Sequence, residues 1–164
     1  MFGIMEGGFL IPTYVKESTI KGAGKGRFII GNHKKGSIIR KQEINSETLH
    51  VIKNKDELKN YNIELLKHFA HTEPKDCNLK TNYVYLNFPP MNTNHSANNN
   101  IDYIYSDKYK ITYLIRNVKD NEELLQNYCN FKQNNWFEDY LHNNKLISAR
   151  ELGINIELNN PIVK

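Results

Sequence analysis

Apolar positions along this chain follow the spacing of strands in some stretches and of helices in others. Alternating or continuous apolar stretches predict strands at residues 13–20, 27–30, 38–39, 83–88, 103–105 and 111–115. Apolar residues three or four positions apart predict helices over residues 56–70 and 134–142. Ser148 and Glu151 have the spacing of a capping box, which predicts a last helix that ends at Gly153. Short strands mixed with few helices favour a β-rich α+β domain.

Length and composition predict the number of domains and the cellular compartment. The 164 residues fit one domain, and no apolar run approaches the roughly 20 residues of a membrane span. The first residues are mildly apolar but lack the basic lead of a signal peptide. The two cysteines, Cys77 and Cys129, favour a reducing compartment. We therefore expect an intracellular protein without membrane association.

The charged and metal-binding residue types narrow the function classes further. The net charge of +4 comes from 18 Lys and only 4 Arg, against 18 acidic residues. Because Arg is preferred for bidentate contacts to bases and phosphates, this balance argues against sequence-specific nucleic-acid binding. His68, His71 and Cys77 could be three zinc ligands by spacing, but a solvated helix end is the simpler and favoured explanation. We expect no metal site.

Three glycines at alternate positions, Gly22, Gly24 and Gly26, lie between the first two predicted strands. Glycine permits positive φ and a close approach of backbone to ligand. A dinucleotide-binding loop would open a helix, and a phosphate loop would continue from Gly-Lys into Ser or Thr. Here Lys25 is followed by Gly26 and then by strand-like residues, so neither loop fits. A ligand-binding backbone segment and a plain glycine-rich turn both stay open.

Two further segments carry candidate chemistry. The tripeptide Asn94-His95-Ser96 offers donors and acceptors for an amino-acid-like or adenine-containing ligand, although a polar turn would have the same composition. Tyr128 closes the segment NEELLQNY, and an isolated Tyr is usually a core or surface residue. We interpret the acidic pair Glu122-Glu123 in this segment as a surface turn and not as a general base.

The order of these segments resembles a known family. GAGKGRF, KKGSII, NHSANNN and NEELLQNY follow one another and precede an aromatic cluster at Trp136. This arrangement resembles the SET domain over roughly Thr13 to Leu141. The resemblance implies a fold of short strands, in which a C-terminal pseudoknot brings the Asn-His-Ser segment beside the tyrosine and a C-terminal helix closes the site. We accordingly predict a single SET domain over residues 1–164, with a core at about 13–141 and a C-terminal extension at about 142–164.

The resemblance also implies a cofactor, S-adenosyl-L-methionine, and the positions that contact it. The residues at these positions are Gly24, Lys25, Gly26, Asn94, His95, Tyr128 and Trp136. Trp136 is assigned as the aromatic residue that packs over the adenine, with Phe137 or Tyr140 as alternates. Ordinary core packing of an amphipathic helix explains these three aromatic residues equally well.

The same resemblance implies the catalytic residues. Tyr128 matches the catalytic tyrosine at the mouth of the methyl-transfer channel, and Tyr103 matches a tyrosine that lines the lysine channel in some relatives. Several positions depart from the family pattern, such as Met91-Asn92 in place of Arg-Phe and Asn127 in place of Asp. These departures remove no catalytic group, but they leave the shape of the lysine pocket open, and with it the number of methyl groups added.

The implied activity is protein-lysine N-methyltransfer. A histone tail is the leading substrate, which would make the chain a chromatin regulator in a nucleus, or in a host-cell nucleus if the chain is viral. A non-histone protein is the alternative substrate, with a cytoplasmic location. A catalytically inactive SET fold that binds a partner is a third interpretation. Dependence on a partner or on a homodimer for specificity is a hypothesis.

Overall fold

The computed structural model describes residues 6–77, 79 and 81–159, and the elements below lie within them. The strands are β1 (Thr13–Glu17), β2 (Lys25–Ile29), β3 (Ile38–Glu43), β4 (Leu49–Ile52), β5 (Ala70–His71), β6 (Val84–Asn87), β7 (Asn94–His95), β8 (Ile101–Tyr105), β9 (Tyr109–Leu114) and β10 (Glu123–Gln126). The helices are α1 (Ile63–Phe69), α2 (Asn135–Asn143) and α3 (Ala149–Leu158), with short 3-10 helices at Lys55–Asn60 and Tyr128–Asn130. The predicted β-rich α+β class is confirmed.

The strands form three small sheets, which places distant parts of the chain side by side. The sheet orders are β1-β2-β10-β7, β3-β9-β8 and β4-β6-β5. In the first sheet β10 pairs antiparallel with β2 and parallel with β7. Leu125 and Gln126 of β10 lie opposite Asn94 and His95 of β7. This pairing is the juxtaposition that the pseudoknot was expected to produce.

Two hydrophobic clusters hold the sheets and helices together. One includes Ile29, Ile39, Leu114 and Leu124 from the first two sheets. The other joins β4, β6 and α1 to α2, and it includes Phe137 and Leu141 of that helix. Burial of each such side chain contributes about 1.5–3 kcal/mol to stability. Helix α2 therefore covers part of the hydrophobic face of the sheet β4-β6-β5.

The helix predicted over residues 56–70 is interrupted in the structure. A 3-10 helix at Lys55–Asn60 and α1 are separated by Tyr61 and Asn62, which have extended backbone conformations. The side-chain oxygen of Asn62 accepts a hydrogen bond from the backbone N–H of Glu64, so Asn62 caps a new helix. Asn54 caps the 3-10 helix in the same way. Two asparagine caps within nine residues thus outweigh the continuous apolar spacing.

The last helix differs from the prediction at its end. Its start is confirmed, because Ser148 and Glu151 form the capping box. However, α3 continues through Gly153 to Leu158. Gly153 in the middle of α3 allows the helix to pack closely against Tyr128 and His95. None of the helices within residues 6–159 is long and apolar enough to cross a membrane.

Candidate active site

A cavity of about 840 Å³ lies where the glycine segment, the end of α1, β7 and α3 meet. Its polar and aromatic lining includes Lys25, His71, Asn87, Thr93, Asn94, His95, Tyr103, Gln126 and Tyr128, and its apolar lining includes Ile20, Met91, Phe131, Ile147, Leu152 and Ile156. Five of the residues predicted from the sequence therefore converge on one space. Gly24 and Gly26 lie beside it on the chain, and Trp136 does not line it.

Asn94 connects the glycine segment to the cavity. Its side-chain N–H donates to the backbone oxygen of Lys25 at 2.9 Å and to Oε2 of Glu123 at 3.2 Å. Lys25 begins β2 and Asn94 begins β7, two strands that are separated only by β10 in the sheet. One amide thus holds the backbone of the glycine segment against the edge of the cavity.

Glu123 is an organising residue that the sequence interpretation missed. The surface-turn interpretation is wrong for Glu123, because its side chain is buried. Its oxygens accept hydrogen bonds from Ser18 Oγ at 2.7 Å and from the backbone N–H and Oγ1 of Thr19 at 2.9 and 2.6 Å. Burial alone would raise the pKa of this carboxyl, but the hydrogen bonds from Thr19, Ser18 and Asn94 outweigh it and lower the pKa.

The glycines of this segment serve two different purposes. Gly24 has a φ of +75° with open space around it, so the requirement there is backbone conformation. Gly26 has no left-handed backbone, but a Cβ at this position would lie within van der Waals overlap of Glu123 Oε2, at 2.3 Å. Gly26 is therefore required for close approach to the buried carboxylate. The Lys25 side chain between them is exposed and pairs loosely with Glu17.

His95 links β7 to both Tyr128 and α3. Its Nδ1 accepts a hydrogen bond from the backbone N–H of Tyr128 at 3.0 Å, so the ring proton must lie on Nε2. Nε2 then donates to Oε2 of Glu157 at 2.6 Å. The side chain of His95 is only 2% exposed. Glu157 of α3 is a second site residue that the sequence interpretation did not single out.

Tyr128 and Tyr103 place two hydroxyl groups in the cavity wall. The hydroxyl of Tyr128 donates to the backbone oxygen of Thr93 at 2.6 Å, and that of Tyr103 donates to Oε1 of Gln126. Burial raises the pKa of Tyr128 to about 12 and raises that of Tyr103 as well, so both hydroxyls stay protonated at physiological pH. Tyr103, Gln126 and Phe131 also line a second, much smaller cavity of about 10 Å³. These three side chains therefore form a wall between two cavities.

The structure places Trp136 elsewhere. Trp136 packs against the second hydrophobic cluster, together with its two alternates Phe137 and Tyr140. The core-packing explanation of these aromatic residues is therefore the one that fits their contacts. The apolar side of the cavity comes instead from Ile20 and from Leu152 and Ile156 of α3, which lie one turn apart.

Helix α3 packs so closely against the site that only glycine fits at position 153. A Cβ at Gly153 would lie 2.6 Å from Cβ of Tyr128 and 3.2 Å from Nδ1 of His95. Distances below 3.0 Å between such atoms require something to move. Gly153 therefore sets the position of the helix that carries Leu152, Ile156 and Glu157.

We expect Gly153→Ala to destabilise the protein and weaken ligand binding in the cavity. In an ordinary helix interior this change would stabilise by about 1 kcal/mol. Here overpacking against Tyr128 should reverse the sign and cost about 1–3 kcal/mol. Chemical denaturation measures the change, and Asn155→Ala at an exposed position of α3 is the control. An increase in stability for Gly153→Ala would show that α3 is not packed as described.

Comparisons with known proteins agree with this geometry at the level of the fold. No protein-family model matches the sequence, and no curated protein matches it either. A humanized mutant of the Chaetomium thermophilum Polycomb Repressive Complex 2 bound to an inhibitor superposes with a TM-score of 0.56 at 18% identity, over 80% of this chain and 16% of that chain. The same fungal complex in an autoinhibited conformation bound to S-adenosylmethionine gives 0.53 at 18% identity, over 82% and 17%.

A third structure, of a Plasmodium falciparum candidate histone methyltransferase, has a TM-score of 0.48 at 22% identity, over 71% of this chain and 91% of that chain. This chain spans only about one sixth of the length of the two fungal chains. At these identities the two likenesses above 0.5 establish the fold. The chain has the SET-domain fold that was predicted.

Proposed function

We propose that this chain binds S-adenosylmethionine in the cavity and transfers its methyl group to the side-chain amine of a protein lysine. The observation that carries this proposal is the convergence of Asn94, His95, Tyr103 and Tyr128 on one cavity. A volume of about 840 Å³ lies within the range of roughly 300–1,000 Å³ for small-molecule sites. The Chaetomium complex with the same fold was solved bound to S-adenosylmethionine.

The residues of the cavity fit such a cofactor. Its purine is flat and apolar on its faces, and Ile20, Leu152 and Ile156 supply an apolar surface that is partly exposed, with 36–43% of each residue accessible. Its amino-acid part is polar, and the side of the cavity formed by Asn94 and the backbone of the glycine segment offers hydrogen-bonding groups. When bound, the cofactor supplies a methyl group on a positively charged sulfur. In this proposal Leu152 and Ile156 pack against the adenine, the role that the resemblance to the SET domain assigned to Trp136.

The chain's own residues must keep the amine of the substrate lysine neutral and hold it in the correct orientation. A free lysine has a pKa of about 10.4, so about one molecule in 2,500 is neutral at pH 7, which corresponds to about 4.6 kcal/mol. Tyr103 and Phe131 in the cavity wall are buried and Tyr128 beside them is half-buried, so these rings shield the reacting amine from water. Burial in such a wall lowers a lysine pKa and reduces this cost. The protonated hydroxyls of Tyr103 and Tyr128 orient the amine along the direction of transfer.

A histone tail is the substrate that we propose first, which would place the protein in a nucleus. One observation favours the alternative of a non-histone substrate, for which we propose a cytoplasmic location. Among the described residues, the lining of the cavity includes Lys21, Lys25 and Lys67 but no Asp or Glu. Positive charge from these lysines favours a substrate in which acidic rather than basic residues flank the target lysine. Incubation with core histones and with whole-cell extract, using tritiated cofactor, separates the two substrates.

We expect Asn94→Ala to weaken S-adenosylmethionine binding by at least about tenfold, which corresponds to about 1.4 kcal/mol. The change removes the hydrogen bond that holds the backbone of the glycine segment at Lys25 and one of the bonds to Glu123. Isothermal titration calorimetry measures the dissociation constant. The control is Asn98→Ala, an exposed asparagine in the same loop region. Equal binding by Asn94→Ala and wild type, or no binding by a folded wild-type chain, would contradict the proposed site.

A further inference from the structure

Lys110 lies in the interior of the protein, behind the cavity wall. It is on the inner face of the sheet β3-β9-β8, between Gln42 of β3 and Tyr105 of β8 in the strand register. The residue is completely inaccessible to solvent. Lysine is rarely buried unless a carboxylate pairs with it. Within residues 6–159, no carboxylate lies within salt-bridge distance of its amine.

The amine of Lys110 contacts three residues that line the cavity. Its Nζ lies 3.1 Å from Nε2 of His71 and donates to Oδ1 of Asn87 at 3.1 Å. It also lies 4.0 Å from the centre of the Tyr103 ring. His71, Asn87 and Tyr103 all face the cavity. Lys110 therefore supports the cavity wall from behind, one residue away from the space where the substrate amine would lie.

The groups around this amine favour its uncharged form. Burial and the nearby guanidinium of Arg40 lower the pKa of Lys110 well below its usual range. Burial also lowers the pKa of His71 and raises the pKa of Tyr103 and Tyr105, so none of these three neighbours supplies a negative charge that would stabilise a charged amine. An uncharged amine donates two hydrogens. Oδ1 of Asn87 is one acceptor, and Nε2 of His71, which also lies 2.8 Å from the hydroxyl of Tyr105, is the other. Such a group costs stability compared with an apolar side chain.

We propose that Lys110 is a positioning residue for methyl transfer, whose amine holds His71, Asn87 and the Tyr103 ring in the wall that orients the substrate lysine. The inference rests on the proposed function. A channel wall must hold its groups within about half an ångström of the productive geometry, which is achieved by supporting residues with fixed positions. A buried amine that destabilises the fold and contacts three wall residues serves this purpose. Stability alone would favour an apolar residue at this position.

The test is Lys110→Met, which keeps the length of the side chain and removes its amine. We expect a melting temperature several degrees higher at pH 7, since the cost of a buried amine disappears. Because the folded-state pKa of Lys110 is lowered, wild-type stability rises with pH up to the unfolded-state value of about 10.4. The stability gain of the variant should therefore shrink as the pH is raised toward 10. The kcat of methyl transfer should fall about tenfold, with the dissociation constant of S-adenosylmethionine unchanged.

Two further variants make the result specific. Lys110→Gln is uncharged but retains an N–H donor, so it should recover part of the kcat and show the same loss of pH-dependent stability. Lys132→Met is the control at an ion-paired lysine, since Nζ of Lys132 lies 2.9 Å from Oε1 of Glu73. We expect it to lower the melting temperature and to leave kcat as in wild type.

Each outcome decides the inference. A wild-type kcat in Lys110→Met would overturn the positioning role, and so would a lower melting temperature, which identifies the lysine as a structural element of the core. If Lys110→Gln recovers no activity while both variants keep the wild-type Kd, an N–H donor at this position does not support the wall, and the hydrogen-bonding role is overturned. If the wild-type chain binds no S-adenosylmethionine and transfers no methyl group, the proposed function fails first, and the inference falls with it.

Discussion

Tyr128→Phe is expected to lower methyl transfer by about 10²–10³-fold, a magnitude typical of removing one preorganised donor from an active site. The Tyr128 hydroxyl lies in the cavity wall and donates to the backbone oxygen of Thr93 at 2.6 Å. Phenylalanine keeps the ring contacts with His95 and Phe131 but removes this donor. The wall should therefore keep its shape and lose the hydroxyl oxygen that, in the proposed function, accepts a hydrogen bond from the substrate amine and orients it.

Tyr128→Phe should lower turnover and leave cofactor binding nearly unchanged. Since Asn94, His95 and the glycine segment are untouched, the dissociation constant of S-adenosylmethionine should stay within about threefold of wild type, a difference below about 0.7 kcal/mol. Tritium transfer to core histones measures the loss of turnover. Tyr85→Phe is the control, because Tyr85 is a fully buried tyrosine whose hydroxyl donates to Glu73 outside the cavity. Full activity of Tyr128→Phe would exclude Tyr128 from the transfer step.

Glu123→Gln should damage both the fold and the proposed cofactor site. The carboxylate accepts hydrogen bonds from Ser18, Thr19 and Asn94, and an amide would place a donor against some of these donors. Hydrogen bonds to a charged group contribute about 1.5–3 kcal/mol, so we expect a loss of about 2–3 kcal/mol in the free energy of unfolding. Weaker S-adenosylmethionine binding should follow, because Asn94 and the glycine segment lose their shared anchor.

The pH dependence of this effect has a defined sign. The folded-state pKa of Glu123 is lowered, so its contribution is fully present above the unfolded-state pKa of about 4.3 and is lost as the pH falls through the folded-state value. Denaturation of wild type and variant should therefore differ at pH 7 and converge as the pH falls through the lowered folded-state pKa of Glu123. Glu122→Gln is the control, because Glu122 forms a partly exposed ion pair with Arg116 and should lose less than about 1 kcal/mol. Equal losses for the two variants would contradict the assigned role.

Local signals in the sequence predicted those elements whose causes are local. The start of α3 was predicted correctly because the capping box involves only Ser148 and Glu151. The hairpin of β8 and β9 follows from two short apolar segments joined by a polar turn. The helix over residues 56–70 was predicted without its break, because the cap at Asn62 competes with an apolar spacing that continues across it. The cap predicts a break and the apolar spacing predicts a continuous helix, and the spacing does not show which of the two signals is stronger.

The residues of the site were predicted unevenly for a related reason. Asn94, His95, Tyr103 and Tyr128 follow from motif order, and the structure brings all four to one cavity. Trp136 was assigned by type alone, and its contacts lie in the second hydrophobic cluster. Nothing in the spacing of apolar residues distinguishes an aromatic residue that faces a ligand from one that faces a core.

The sequence by itself determined the α+β class and most element positions, since each depends on neighbours within a few positions. The motif residues of the site came from the resemblance of the sequence to the SET domain. Only the tertiary structure decided that Glu123 is buried, that Gly153 lies within a helix and that Lys110 lies behind the cavity. Glu123 bonds to residues 104 and 105 positions away, and the contacts of Lys110 are 23 and 39 positions away. Such contacts depend on how the three sheets and α3 pack together, which no local pattern records.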